Sequence, residues 1–350
     1  MVRHAIIGVG FGASAHLPAF AGIDGVEVVA LSDAGSGRAK ELVRGRGIAY
    51  SNWRRMLDEI HPDTLSVAVP PGVQREIVVE AVRRGIHVLC EKPFGMTVGD
   101  AEVMTVAAAE AGVVGCTGFQ FRFEPGFLAL QQQVFSGHIG HLHRLDFAWI
   151  TAGRANAQRP WGWQHDACRG GGVINAFMPH VVDLLYWLVG ATVTSVVART
   201  KILVPRRLDE RGEAHNVTAE DMVDALIEFN SKLVVSVCVT NCQFAGEGMR
   251  VDVYGQKGHL QLIHRPPFSG EARLLYQRQN AEAIETHVHT PSSLEPDTRV
   301  GPLRHLAHRF ILAARGEVST DMPSFQDGLR VHRVLAAIRR SVEQRKFSNV

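Results

Sequence analysis

The chain has 350 residues, more than one ordinary domain needs, so two domains are expected. Its 46% hydrophobic and 21% charged content suit a globular fold with an ample core. A net charge of +2 gives no electrostatic case for nucleic acid or an anionic membrane surface.

The first third alternates strand and helix patterns. Ala5 to Val9 is an apolar run, followed by a glycine turn and a helix from about Ala13 to Ala21. Val26 to Leu31 reads as a second strand ending at Ser32-Asp33, and Arg38 to Gly45 as an amphipathic helix. Trp53 to Ile60 is helical, Leu65 to Val69 a strand stopped by Pro70-Pro71, and Arg75 to Arg84 a helix closed by Gly85. The strand Ile86 to Cys90 runs into Glu91-Lys92-Pro93, then come a helix from Val98 to Ala111 and a strand from Val113 to Gly118. Strands separated by helices of this length predict βαβ units in a doubly wound parallel sheet.

After Phe121 the pattern changes. His143 to Thr151, Val193 to Leu203, Met222 to Phe229, Leu233 to Thr240, Met249 to Tyr254 and His259 to Ile263 read as strands, several joined by short turns. Helices are predicted at Phe127 to Phe135 and Met178 to Leu188, and a loop at Pro291 to Pro302. The expected architecture is a dinucleotide-binding α/β domain over 1–121, then an α+β domain over 122–350 on a large, mostly antiparallel open sheet. The tail helices need not join that sheet. Ser324 and Asp327 form a capping-box pattern before a last helix striped by Leu329, Val334, Leu335, Ile338 and Val342. Arg330, Arg333, Arg339 and Arg340 fall largely outside the stripe and read as a solvated face.

The five cysteines, Cys90, Cys116, Cys168, Cys238 and Cys242, are scattered and odd in number, which argues against a disulfide framework. No stretch of about 18 uninterrupted apolar residues predicts a membrane span, and the first strand starts too early to follow a secretory signal, so a cytoplasmic protein is expected. His138, His141 and His143 cluster, as do His287 and His289; in a strand His141 and His143 would share a face, and so would His287 and His289. No carboxylate or cysteine completes either set at a recognisable spacing, so no metal site is expected.

Gly8-Val9-Gly10-Phe11-Gly12-Ala13 lies between a strand and a helix. Gly8 suits the tight turn, Gly10 a backbone approach to a pyrophosphate at the helix N-terminus, and Ala13 the small third position. Asp33 ends the second strand about 20 residues on, where a carboxylate accepts ribose hydroxyls and repels a 2′-phosphate. This favours NAD over NADP.

With Glu91-Lys92-Pro93 added, the chain resembles the Gfo/Idh/MocA family of oxidoreductases over nearly its whole length. The resemblance rests also on Ala15-His16-Leu17-Pro18-Ala19, Val69-Pro70-Pro71, Phe119-Gln120-Phe121-Arg122-Phe123-Glu124-Pro125, Gly170-Gly171-Gly172 leading to His180 and Asp183, and Phe325-Gln326-Asp327-Gly328-Leu329-Arg330-Val331. It implies a Rossmann domain, a nicotinamide cofactor, a sugar or polyol substrate, and a homodimer or homotetramer formed through the second sheet. It implies further that Pro70 and Pro71 line the dinucleotide and that Glu91 reaches the nicotinamide ribose. The Lys92–Pro93 bond would be cis. Trp163, or Trp161, would stand near the nicotinamide, with core packing as the alternative for either. Gln74 occupies a cofactor-side position where histidine is frequent.

Hydride transfer from a carbinol requires a group to accept the hydroxyl proton. Lys92 suits this role if burial and a cationic nicotinamide push its amine towards neutrality. His180 would share the proton or hold the substrate oxygen. Arg122 and Asn175 are candidate substrate contacts. Relatives carry an aspartate four residues before the histidine; here Ala176 stands there. That departure leaves two alternatives to a sugar dehydrogenase: a dinucleotide-binding sensor without turnover, or an enzyme that recycles tightly bound NAD.

Overall fold

The structure is a computed structural model that describes residues 1–43, 47–266, 268, 271–278, 280–289, 297–319 and 321–350. It divides into two compact units: unit 1 comprises Met1–Phe123 and Ser293–His332, and unit 2 Glu124–Ser292 and Arg333–Val350.

Unit 1 is built on β1 (Val2–Ile7), β2 (Val26–Ser32), β3 (Ile48–Tyr50), β4 (Thr64–Val67), β5 (His87–Cys90) and β6 (Gly115–Thr117). All pair parallel, in the order β3-β2-β1-β4-β5-β6. Such a sheet needs cover on both faces, and its strands are accordingly buried in unbroken runs rather than alternately, as over His4–Ile7 and Thr64–Val67. On one face α3 (Trp53–Ile60), α4 (Pro71–Arg83) and α5 (Val98–Glu110) bury Met56, Leu57, Ile77, Val78, Ala101 and Met104. On the other, α1 (Leu17–Ala21) packs Phe20 with Leu303, Leu306 and Phe310 of the helix Val300–Ala314.

Several boundaries differ from the sequence reading for physical reasons. The first helix opens as a wider π turn, Gly12–His16, before α1. Pro18 has no N–H to give the carbonyl four residues back, so the regular ladder cannot start earlier. Conversely, α4 begins at Pro71, four residues before its predicted start, because proline is well suited to the first helical position. The short strand β3 carries too few residues to show a period. In the helix predicted over Arg38 to Gly45, α2 covers Arg38–Val43, and 44–45 lie outside the described residues. Of the loop predicted over Pro291 to Pro302, 291–296 lie outside them too, and helix has begun by Val300.

Unit 2 carries α6 (Pro125–Phe135), β7 (Leu142–Ile150), α7 (Val173–Ala176), α8 (Met178–Val189) and β8 (Val193–Lys201), then a small hairpin of β9 (Arg206–Leu208) and β10 (Ala214–Asn216). The strands β11 (Met222–Phe229), β12 (Val234–Thr240), β13 (Gly248–Gly255), β14 (Gly258–His264), β15 (Glu271–Arg278), β16 (Ile284–His289) and β17 (Ser348–Asn349) follow. The nine-stranded sheet has the order β16-β15-β14-β13-β7-β12-β11-β8-β17. Every neighbouring pair is antiparallel except β7 with β12. Along β11, Val223, Ala225, Ile227 and Phe229 are buried while Leu226 on the opposite face is exposed, the alternation of a half-covered sheet.

One helical stretch, Ala167–Val189, has the length and apolarity of a membrane span, contrary to the sequence expectation. In the structure 78% of its most apolar window is buried, as in a core helix, and it is broken between α7 and α8. Its apolar character answers to packing in unit 2.

Candidate active site

In unit 1 the expected cofactor residues gather at the carboxyl ends of β1, β2, β4 and β5, the edge at which open parallel sheets receive ligands. Gly8 ends β1 with φ +117°, and a Cβ there would lie 2.1 Å from the Ala68 carbonyl oxygen, so only glycine lets β1 and β4 close at this point. A Cβ on Gly10 would meet nothing within 4 Å. The turn therefore presents open space at a helix N-terminus, which fits a pyrophosphate. Phe11 lies under the Arg299 guanidinium, 4.4 Å from the ring centre, and edge-on to His16.

Asp33 follows β2. Its carboxylate accepts from the Gly35 amide (2.7 Å), the Ser36 hydroxyl (3.0 Å) and the Ala39 amide (3.0 Å). These bonds, that from Ala39 foremost, hold its pKa below the ordinary carboxylate value. The group is an anion with lone pairs still available to ribose hydroxyls.

Glu91 and Lys92 follow β5, and the Lys92–Pro93 bond is cis. Glu91 is the end of a buried polar chain that crosses the sheet. His4 on β1 joins Thr64 (2.9 Å) and Ser66 (3.0 Å) on β4; Ser66 joins His16 Nδ1 (2.9 Å); His16 Nε2 meets Glu91 Oε1 at 3.0 Å. Burial, then the neighbouring His16, push the His4 imidazole well below its usual titration range, so it stays neutral. The other Glu91 oxygen accepts the Lys92 amide at 3.2 Å. Gly118, just after β6, leaves the carboxylate its room, since a Cβ there would stand 2.6 Å from Glu91 Oε1. Lys92 is half-buried.

Two of the expected residues in unit 1 are engaged by the protein itself. Gln74, expected beside the cofactor, is fully buried: its amide donates to the Val69 and Glu91 carbonyls and accepts from the Gly95 amide. These bonds hold the Glu91 segment in place. Arg122, expected to reach the substrate, is 7% exposed and pairs with Asp327 at 3.5 Å. Asp327 in turn closes the predicted capping box with Ser324 (2.7 and 3.2 Å). Pro70 caps α4 and Pro71 opens it.

The remaining candidates belong to unit 2. His180 on α8 is 3% exposed, its ring tilted against Trp149 with centres 6.3 Å apart. Trp163 is 39% exposed, whereas Trp161 stacks on His215 at 4.4 Å. Asn175, on α7, accepts Arg339 Nη2 at 2.6 Å. Arg339 is thus no solvated helix residue, and burial lowers the pKa of its guanidinium. Glu220, from the turn before β11, accepts the Ile174 amide at 2.8 Å, and a Cβ on Gly172 would fall 2.2 Å from its Oε1. Burial raises the pKa of its carboxyl above the ordinary carboxylate value. A carboxyl therefore backs the glycine segment even though Ala176 supplies none.

Of the histidine clusters, His141 and His143 lie ring to ring at 6.2 Å with no carboxylate completing a metal set. His287 is bonded to Glu271 and Glu285, and the His289 side chain lies outside the described residues. Among the described residues the one group with metal-like spacing is Asp209, Glu213 and His215 on the β9–β10 hairpin, which the sequence reading did not single out. The Asp209 carboxylate is engaged by two amides of its own turn and by His215.

The N-terminal sheet, the glycine turn and Asp33 together define an NAD-binding oxidoreductase of the Rossmann type. A family model described as "Oxidoreductase family, NAD-binding Rossmann fold" matches residues 2–119, and the GFO/IDH/MocA C-terminal domain matches residues 127–261. The chain belongs to the GFO/IDH/MocA oxidoreductase family. It is 29% identical to an uncharacterized oxidoreductase of Synechocystis over 74% of this chain and 70% of the relative. To the myo-inositol 2-dehydrogenase of Thermotoga maritima it is 25% identical, over 74% of each chain. Among solved structures, levoglucosan dehydrogenase in complex with NADH and levoglucosan shares the fold with a TM-score of 0.88 at 22% identity, covering 100% of this chain and 99% of that one.

Proposed function

We propose that the protein oxidises a secondary hydroxyl of a sugar, sugar derivative or cyclic polyol with NAD, or runs the reverse reduction. The observation that carries this reading is the anchoring of Glu91-Lys92 at the end of β5, with Glu91 held by His16 and its carbonyl held by Gln74. A lysine whose backbone is anchored at the ligand-binding edge of an NAD-binding sheet suits proton transfer. Bound NAD would supply the hydride acceptor. Lys92 takes the hydroxyl proton in oxidation and returns it in reduction, and His180 is the second candidate for the proton or the substrate oxygen. Glu91 and Asp33 serve the two ribose ends of the cofactor. Asn175 is the sugar contact in unit 2. The half-covered face of the nine-stranded sheet is the surface proposed for homo-oligomer formation. Relatives named myo-inositol 2-dehydrogenase and levoglucosan dehydrogenase support the substrate class.

The test is to incubate the purified protein with NAD and a panel of sugars, inositols and sugar acids while following absorbance of the reduced cofactor. Turnover lost in Lys92→Ala, with NAD affinity intact, is the expected result. Tight NAD binding without turnover across the panel would replace this reading by a dinucleotide sensor. Product without net cofactor reduction would indicate recycled NAD.

A further inference from the structure

We infer that unit 2 holds a subsite for an anionic substituent, a carboxylate or phosphate, with Arg154 and His165 as its donors. The inference rests on the reading that unit 2 receives the substrate, and it names the class of sugar.

Arg154 follows β7 and is 6% exposed. Its backbone is tied on both sides: the amide donates to the Asn241 carbonyl at 2.7 Å, and its carbonyl accepts Arg207 Nη2 at 2.5 Å. Among the described residues its guanidinium makes no hydrogen bond and no ion pair. Arg207, also buried, behaves differently, since its Nη1 and Nη2 donate to the carbonyls of Arg154, Asn156 and Arg159 and only its Nε lacks a partner. Arg207 is a crosslink of this loop, while Arg154 is an unmatched buried charge. Such a charge is costly unless something completes it.

His165 is 2% exposed and supplies the second donor. Its Nδ1 accepts the Gly162 amide at 3.1 Å, which places the ring hydrogen on Nε2. That Nε2 is buried and has no partner. Burial, then Arg207, Arg154 and Arg159, push this imidazole down to about 4, so near neutral pH it is an uncharged donor.

The nearby carboxyl groups do not satisfy Arg154. Asp221 accepts the Leu203 (2.9 Å) and Val204 (3.1 Å) amides, and Glu220 accepts Ile174. Both lie within electrostatic range of the guanidinium without pairing to it. A buried guanidinium and a buried imidazole N–H, both unfilled, match the oxygens of one oxyanion. The position suits a substrate group. His165 accepts the Thr218 and Ala219 amides through its carbonyl, and Gln164 accepts Gly172, so the donors share a backbone frame with the Gly170–Gly172 segment and Asn175.

The experiment measures affinity of the NAD-loaded protein for glucose, glucuronate and glucose 6-phosphate by calorimetry, beside turnover. One acidic sugar is expected to bind at least tenfold more tightly than glucose, and which one separates carboxylate from phosphate. Arg154→Gln should remove that preference while leaving glucose affinity within twofold, and Arg154→Lys should retain part of it. Inorganic phosphate should compete with the acidic sugar in the unaltered protein, which tests the subsite even if neither variant folds. Equal binding of acidic and neutral sugars, an undiminished preference in folded Arg154→Gln, or no competition by phosphate would overturn the subsite. Arg154-dependent binding without turnover would sink the dehydrogenase reading alone. Turnover of neutral sugars without acid preference would sink the subsite alone.

Discussion

His16 Nε2 stands 3.0 Å from Glu91 Oε1, both side chains buried, and links the glycine turn after β1 to the Lys92 segment after β5. Neither residue is near the other in sequence, and the bond makes the geometry of one strand end depend on the other. His16→Ala takes the imidazole from the buried Glu91 Oε1, while Ser66 keeps its bond to His4, at a cost of about 1–3 kcal/mol. Urea unfolding should show that loss, and NAD affinity should fall by about tenfold if the Glu91 carboxylate moves. Unchanged NAD affinity in a folded His16→Ala protein would confine His16 to a packing role.

Asp33 does two jobs that one substitution removes together. Its carboxylate accepts three groups of the 35–39 segment, so Asp33→Ala costs about 1 kcal/mol of local stability, as loss of a helix cap does. Absolute cofactor affinity is therefore a poor readout. The ratio of NAD to NADP affinity, measured by fluorescence titration, should shift towards NADP, and a constant ratio would remove Asp33 from cofactor discrimination.

Arg339 pins the Asn175 oxygen and the Gly171 carbonyl takes one amide hydrogen, which leaves the second N–H as the group Asn175 can offer a ligand. Arg339→Gln should raise KM for the sugar by about threefold to tenfold, with a smaller change in kcat. Arg339→Lys should recover part of the effect. Equal loss of kcat and affinity in both variants would mean that the helix end, and not the amide, had been disturbed.

Acid should destabilise unit 2 before its carboxylates are protonated. His165 and His264 are each pushed down to about 4, by burial first. Between the ordinary value near 6.5 and that point, the unfolded chain binds protons that the folded one does not. Stability is thus complete above 6.5 and falls as pH drops towards 4, by up to about 3 kcal/mol per histidine. Glu220, raised by burial, works in the opposite sense, so His264→Gln is the useful control. Urea midpoints taken at pH 7.5, 5.5 and 4.5 should decline less steeply in that variant than in the unaltered protein.

Much of unit 1 was legible because short βαβ units repeat one local pattern and glycine and proline mark their ends. The strands β15 and β16 escaped notice, since Glu271–Arg278 and Ile284–His289 mix charged and apolar residues without clean alternation. The strand-end positions of Gly8, Asp33 and Lys92 were legible because a motif carried each of them. Long-range polar bonds were not. Arg339 stands one turn after Leu335, at the margin of the apolar stripe, so its partial burial had a signal; its bond to Asn175, 164 positions away, had none. The bonds of Gln74 to the Glu91 segment and of Arg122 to Asp327 were likewise invisible to any local pattern.

The clearance at Gly118 bears on how sites of this kind diverge. Any side chain at 118 would take the space held by the Glu91 carboxylate, so the two positions are not free to change independently. A homologue with a larger residue at 118 is expected to have given up the acid at 91, or to have moved the strand that carries it. Reading this pair across related chains would sort those that keep the buried carboxylate at 91 from those that retain only the scaffold.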